Sequence, residues 1–258
     1  MIIDEAAARL MEAEERKKVI EPLTVTYPGI TVDEAYLTQL EIVQRRVAKG
    51  AKIVGKKIGA TSKAIQNMFG VNQPDYGHLL DDMMFVDGDT ISLKQYIQPK
   101  VECEIAFILK KDLKGPNITL MDVIEATDYI VPAIEVIDSR ILDWKIKFED
   151  TVADNGSSAS AIIGGNPTKL NGIDLAHIGM VVYKNGVMID SAAGAAVLGN
   201  PLRAVAWLAN SLSKYEVSLK AGEIILSGAL TSAVEIEDQD TFTAEFAHIG
   251  SVSATFKR

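Results

Sequence analysis

An α+β fold is what this chain of 258 residues predicts: an α-rich part leading into a mixed, largely antiparallel curled β-sheet with flanking helices. Three observations carry that prediction. Residues 1–87 read mainly as helices with clear stops. From about residue 88 the texture changes to short strands with one helix between groups. Asn185-Gly186, between Val181–Lys184 and Val187–Ile189, is a strong hairpin turn. No internal repeat, low-complexity tract or clear interdomain linker interrupts the chain, so 1–87 and 88–258 are two regions by texture alone.

Taken in order, residues 4–20 predict an amphipathic helix with Asp4 as N-cap and Ala7, Leu10 and Met11 on one stripe, ended by Glu21-Pro22. Thr31-Val-Asp-Glu34 is a capping box, in which the Thr and Glu side chains satisfy free backbone N–H groups. The helix behind it carries Val32, Tyr36, Leu40, Val43 and Val47 at helical spacing and stops at Gly50. Ala51–Gly59 reads as a strand, and Ser62–Phe69 as a short helix closed by Gly70. Tyr129–Ile137 is an apolar strand. Asn200-Pro201 supplies an N-cap and a first-turn proline for a helix that buries Leu202, Val205, Leu208, Ala209 and Leu212. Glu223–Leu226 is a further strand, and Thr241–Phe256 a hairpin turning at Gly250. Residues 62–86 and 138–160, rich in Gly, Asp, Asn and Ser, read as loops over the strand scaffold.

Composition narrows the function classes. A net charge of −9 argues against a nucleic-acid surface, which requires clustered basic residues. No apolar run approaches the roughly 20 residues that span a bilayer. The N-terminal stretch MIIDEAAARLMEAEERKK lacks the basic-then-apolar order of a signal peptide. A lone cysteine, Cys103, excludes an internal disulfide framework and suits a reducing cytoplasm. The three histidines, His78, His177 and His248, show no metal-ligand spacing.

Chemistry concentrates in Val101–Leu109, VECEIAFIL. Alternation puts Val101, Cys103, Ile105, Phe107 and Leu109 on one face and Glu102, Glu104, Ala106 and Ile108 on the other. Two carboxylates thus stand about 7 Å apart on a strand whose far half is apolar on both sides. Such a strand runs into a core, with its acids at the mouth of a pocket. Glu135 interrupts the apolar run Ile130–Ile137, and an ionised Glu there must be paired or bind metal. Three carboxylates from two strands suit a hard cation such as Mg²⁺ or Mn²⁺ with open positions. The alternative is that Glu102 and Glu104 are exposed and Glu135 pairs with a Lys or Arg.

Lys56 and Lys57 sit inside an apolar strand, and alternation sends one inward and the other outward, or leaves both at a strand edge. An inward lysine can exchange protons near neutral pH. Asp75, in NQPDYG, reads as a turn residue, and Asp154-Asn155-Gly156-Ser157 as a polar loop. Cys103, opposite the acids, is a packing residue. Gly55 and Gly59 make no complete phosphate loop, and Ser227-Gly228 lacks the GxSxG elbow.

Five segments in order, GKKIGATSKAIQNMFGVNQPDYGHL (55–79), IQPKVECEIAFILKKDL (97–113), SRILDWKIKFEDTVADN (139–155), AGAAVLGNPL (193–202) and AGEIILSGAL (221–230), resemble the 2-hydroxypenta-2,4-dienoate (2-oxopent-4-enoate) hydratases of the fumarylacetoacetate hydrolase-like superfamily. The sister family of 4-oxalocrotonate decarboxylases shares the metal motif. An acid at Asp75 and the DWKIK stretch at 143–147 favour the hydratase. Gly156 and Asn200 depart from residues common in relatives and bear on substrate preference.

The resemblance implies a β-roll over 88–258, with 1–87 contributing Lys57 and Asp75. It implies one Mg²⁺ or Mn²⁺ held by Glu102, Glu104 and Glu135, chelated by the carboxylate and 2-oxygen of a small 2-hydroxydienoate. Lys57 would move protons and stabilise enolate charge, Asp75 would orient or deprotonate water, and Ser157 would hydrogen-bond substrate or water. The implied product is 4-hydroxy-2-oxopentanoate, in the meta-cleavage catabolism of aromatic compounds. A cytoplasmic homo-oligomer, able to associate with a pathway decarboxylase, goes with the same resemblance. The alternatives are the decarboxylase itself, a catalytically silent partner subunit, and C–C hydrolysis, which would need a histidine before His78.

Overall fold

Two sheets carry the fold in the computed structural model, which describes residues 2–258. The chain opens with α1 (Ile2–Arg16), α2 (Leu23–Thr26) and α3 (Val32–Ala48). Thr31 caps α3 through the expected box with Glu34: Thr31 N–H donates to the Glu34 carboxylate (2.8 Å) and Glu34 N–H to Thr31 Oγ1 (3.2 Å). α1 starts earlier and stops sooner than its periodicity suggests. Asp4 lies in its first turn, and Lys17, with φ 52°, leaves helical geometry before Glu21-Pro22 is reached. On α3, Tyr36 and Val43 are buried as expected but Val47 is exposed, while Thr38 and Gln39 are fully buried. The Gln39 carboxamide reaches the backbone carbonyls of Tyr76 and Val152, and Thr38 Oγ1 donates to the Glu34 carbonyl one turn back in its own helix.

β1 (Ile53–Gly59), α4 (Lys63–Phe69) and β2 (Asp75–Leu80) follow, then β3 (Met84–Val86), β4 (Thr90–Ser92) and β5 (Pro99–Leu109). Ser62 caps α4 and Gly70, at φ 68°, closes it. α5 (Leu120–Ala126) leads into β6 (Thr127–Asp138), α6 (Phe148–Ala153) and β7 (Ser158–Ile163). β8 (Gly179–Lys184) and β9 (Val187–Ala193) form the Asn185-Gly186 hairpin, both turn residues having positive φ. α7 (Pro201–Leu212), β10 (Ile224–Leu226), β11 (Val234–Glu235), β12 (Thr241–Phe246) and β13 (Gly250–Lys257) complete the chain. All five apolar residues expected in α7 are buried. The last hairpin turns at 247–249, and Gly250 begins the return strand.

The larger sheet has the order β2-β1-β10-β5-β6-β7-β3, with β11 also on β5; the smaller is β4-β13-β12-β8-β9. Three pairings are parallel (β1 with β10, β3 with β7, β4 with β13) and the rest antiparallel, which is the mixed, curled α+β architecture expected. The two segments read as loops are largely ordered elements instead. Residues 62–86 contain α4, β3 and the wholly buried β2, and 138–160 contain α6 and the start of β7. Small and polar residues form strands there because β1 and β6 offer ladder partners.

Alternation on β5 divides the core. Cys103, Ile105, Phe107 and Leu109 enter the main core, which includes α7 and the smaller sheet. Ala106 faces the other way and joins a second cluster with Leu79, Val131, Ala133, Ala161 and Leu226. The three acids lie on that second side.

Candidate active site

β5 and β6 pair so that Glu102 is directly opposite Glu135, with Glu104 opposite Ala133. Carboxylate oxygens of Glu102, Glu104 and Glu135 all lie within 4.8 Å of one another. Glu104 and Glu135 are fully buried, and Glu102 lines a cavity of about 690 Å³. Glu104 Oε2 accepts the Gly228 backbone N–H at 2.7 Å, while Glu104 Oε1 and both oxygens of Glu135 have no hydrogen-bond partner among the described residues. Buried carboxylate oxygens without a well-formed hydrogen bond, converging from two strands, are a donor set that fits a hard divalent cation.

Lys57 completes the floor. Its ammonium lies 3.4 Å from Glu135 Oε2 and donates to the Gly156 carbonyl at 3.0 Å. Both lysines of the pair are buried, so neither is solvent-facing as alternation allowed. They do point to opposite sides: Lys56 makes a two-pronged ion pair with Glu223, at 2.7 and 2.8 Å. Glu135 thus sits in the acid cluster with a lysine beside it, while Glu104 is fully buried rather than exposed as the alternative reading had it.

Charge follows burial here. Burial pushes the Glu102 carboxyl up to about 7, with help from Glu135 and Asp75 and against Lys57. Burial and Glu135 hold Glu104 well above the usual carboxylate range, and burial raises Glu135 against the pull of Lys57. For Lys57, burial works to lower the pKa, but Glu135, Asp75, Glu102 and Glu104 outweigh it and keep the ammonium charged. Lys56 ends below its ordinary value because burial exceeds the attraction of Glu223.

Asp75 is the first residue of β2, in register with Gly59 of β1, and is buried. Burial raises its pKa, offset by Lys57 and the Gly59 N–H, and its Oδ1 has no hydrogen-bond partner among the described residues. A Cβ at Gly59 would collide with that oxygen, so glycine lets the carboxylate lie against the strand. Gly59 belongs to the pattern that failed as a phosphate loop; its role is this close approach. Gly228, from the pair that failed as a nucleophile elbow, supplies the N–H for Glu104. Neither role has a sequence signal beyond the glycine itself.

Ser157 lines the cavity, with its Oγ 3.4 Å from Thr151 Oγ1. Further wall comes from α4 (Ile65, Met68, Phe69), from Trp144 and Lys145 of the DWKIK stretch, from 190–192 of β9 and from 229–233. Of the six residues expected in the site, Lys57, Asp75, Glu102 and Ser157 line this cavity, and Glu104 and Glu135 lie buried beside Glu102, within 4.8 Å. Cys103 is buried on the opposite face of β5, and burial raises its thiol pKa. His78 is buried against Gln39, its Nδ1 3.0 Å from Oε1. No described helix is long and apolar enough to cross a membrane.

Comparison with known proteins agrees with this geometry. Residues 56–257 match the family model described as fumarylacetoacetate (FAA) hydrolase C-terminal. The chain is 46% identical to 2-keto-4-pentenoate hydratase of Paraburkholderia xenovorans (strain LB400), over 98% of this chain and 94% of that one. It is 44% identical to 2-oxo-hept-4-ene-1,7-dioate hydratase of Escherichia coli, over 97% of this chain and 96% of that one. Among solved structures it superimposes on 4-oxalocrotonate decarboxylase from Pseudomonas putida G7, complexed with magnesium and adipate. That match has a TM-score of 0.96 and 41% identity, covering 98% of this chain and 97% of the other.

Proposed function

The chain belongs to the fumarylacetoacetate hydrolase family, and from that premise we propose that it is a divalent-cation-dependent hydro-lyase. It adds water to 2-hydroxypenta-2,4-dienoate, the enol of 2-oxopent-4-enoate, to give 4-hydroxy-2-oxopentanoate. The observation that carries the reading is Asp75: a buried carboxylate with one oxygen unpartnered among the described residues, next to a charged lysine, on a cavity whose Glu102 belongs to a cluster of three convergent acids. Near-full-length identity to hydratases supports the same reaction.

Glu102, Glu104 and Glu135 would hold the cation, for which we propose Mg²⁺ or Mn²⁺. When bound, it supplies a Lewis acid for an oxygen-rich 2-oxo acid. The chain's own residues then divide the proton work. Lys57, held cationic by its acidic neighbours, balances negative charge on the substrate's 2-oxygen and supplies a proton. Ketonisation removes the enol proton and protonates C5, leaving C4 electrophilic. Asp75, whose carboxylate is made more basic by burial, accepts a proton from the water that attacks C4, and the enolate so formed takes a proton at C3, completing addition of H and OH across C3–C4. Ser157 orients that water or the substrate. The apolar side chains of α4 and Trp144 line the side of the cavity where the substrate's carbon chain would lie.

This reading belongs to aromatic-compound catabolism, in the cytoplasm and as a homo-oligomer. Decarboxylation of 4-oxalocrotonate is the second reading, favoured by the structural match to that decarboxylase. Offering both 2-hydroxypenta-2,4-dienoate and the 4-oxalocrotonate diacid separates the two. Hydration of the dienoate is the expected result; carbon dioxide from the diacid, with the dienoate untouched, would move the assignment to the decarboxylase.

A further inference from the structure

Asn155, Gly156 and Ser157 are three consecutive residues in the left-handed region, with φ of 57°, 59° and 55°. L-residues visit that region singly as a rule, and Asn tolerates it better than most. Departures of this kind persist where the surroundings over-determine them, and they gather at functional sites.

The surroundings here are specific. The Asn155 carboxamide spans both backbone groups of His78: Oδ1 accepts the His78 N–H at 2.7 Å, and Nδ2 donates to the His78 carbonyl at 2.9 Å. β2 is the end strand of its sheet, so these groups face away from β1 and have no ladder partner. One residue earlier, a Cβ at Gly77 would run into the Asn155 carbonyl, so backbone meets backbone there. On its other side the turn delivers the Gly156 carbonyl to Lys57 Nζ, and a Cβ at Gly156 would stand 3.3 Å from Lys57 Cδ. The next residue is Ser157, on the cavity wall. Gln39 reinforces the same edge, donating to the carbonyls of Tyr76 (2.9 Å) and Val152 (2.7 Å).

We propose that Asn155 is a positioning residue for the water-adding step, the clamp that sets the strand carrying Asp75 against the turn carrying Gly156 and Ser157. The inference rests on the reading of Lys57 and Asp75 as the groups that move protons. Only a carboxamide fits: it offers an acceptor and a donor on one planar group, whereas Asp would set a carboxylate oxygen against the His78 carbonyl. Arg140 holds the residue before the turn, with its backbone N–H on Asp154 Oδ2 at 2.9 Å, but nothing in that pair ties the turn to β2. Without the clamp, the Lys57 acceptor and the Ser157 hydroxyl lose their distance to Asp75, and misplacement by about 1 Å costs about a hundredfold in rate.

The test uses the full chain with Asn155→Asp and Asn155→Gly, the latter accepting positive φ without strain. For each, kcat and KM with 2-hydroxypenta-2,4-dienoate are measured, along with the Kd for Mn²⁺. The expected result is a fall in kcat of about tenfold or more, with KM and the Mn²⁺ Kd within about threefold of the parent. Should Asn155→Gly fail to fold, Asn155→Asp decides alone. A kcat within about twofold of the parent overturns the inference, as does a parallel loss of kcat, substrate affinity and Mn²⁺ affinity. Parent turnover of the dienoate is the separate test of the proposed function; this inference is read from the variant-to-parent ratio.

Discussion

Glu102 and Glu135 face each other as direct cross-strand partners at the centre of the larger sheet, two acids where a sheet ordinarily avoids like charge. Glu104 joins them within 4.8 Å, and Lys57 supplies one positive charge against the three. Burial and mutual repulsion both favour a cation in their midst.

Chelation should therefore abolish turnover, and Mg²⁺ or Mn²⁺ should restore it; full activity in excess chelator would defeat the metal assignment. The same cation should stabilise the fold. At about 100 times its Kd, linkage contributes about 2.7 kcal/mol, or roughly 5–10 °C in Tm for a chain of this size. Glu104→Gln should remove most of that increment in a thermal melt with and without metal.

Asp75→Asn keeps the shape of the side chain and removes its capacity to take a proton. Its kcat for hydration should fall by about 10²–10⁴, with Mn²⁺ affinity near that of the parent. A variant that hydrates as fast as the parent would release Asp75 from the role.

Lys56 and Lys57 should fail in different ways. Lys57→Met should lose about a hundredfold or more in kcat per folded molecule, besides the stability lost by leaving Glu135 without its lysine. Lys56→Met strands Glu223, which is buried and paired on the far side of β1, so it should cost about 3–5 kcal/mol of stability. The folded fraction should remain active. Denaturant titration and turnover per folded molecule separate the two outcomes.

His78 gives the fold an acid limit. Burial first, and then Lys56, push its imidazole down to about 3 from an ordinary 6.5. Between those values the unfolded chain binds more protons at this residue than the folded one, so the His78 contribution to stability is full above about pH 6.5 and lost as pH falls toward 3, opposed over part of that range by the buried carboxyls of Glu102 and Asp154, raised to about 7 and about 6. The slope is about 1.4 kcal/mol per pH unit at most. Replacing His78 with Gln should flatten that part of the profile; an unchanged slope in urea titrations at pH 7 and 5 would assign the acid limit elsewhere.

Local patterns were legible where local physics decides. The Thr31 box, the Asn185-Gly186 hairpin and the apolar stripe of α7 formed as read, because caps, turns and helix faces depend on residues within one or two turns of chain. Asp75 and Asn155 were harder. NQPDYG and ADNGS have turn chemistry, and only the neighbouring β1 and the cavity convert them into a strand end and a left-handed clamp.

Alternation within Val101–Leu109 was enough to set Glu102 and Glu104 on one face and Cys103 on the other, since a strand's period of two is a property of its own backbone. The position of Glu135 opposite Glu102, and the choice of Lys57 over Lys56 to face the acids, were decided by the tertiary structure. Both depend on strand register and on which side of the curled sheet is enclosed, and those are set by packing between segments far apart in the chain.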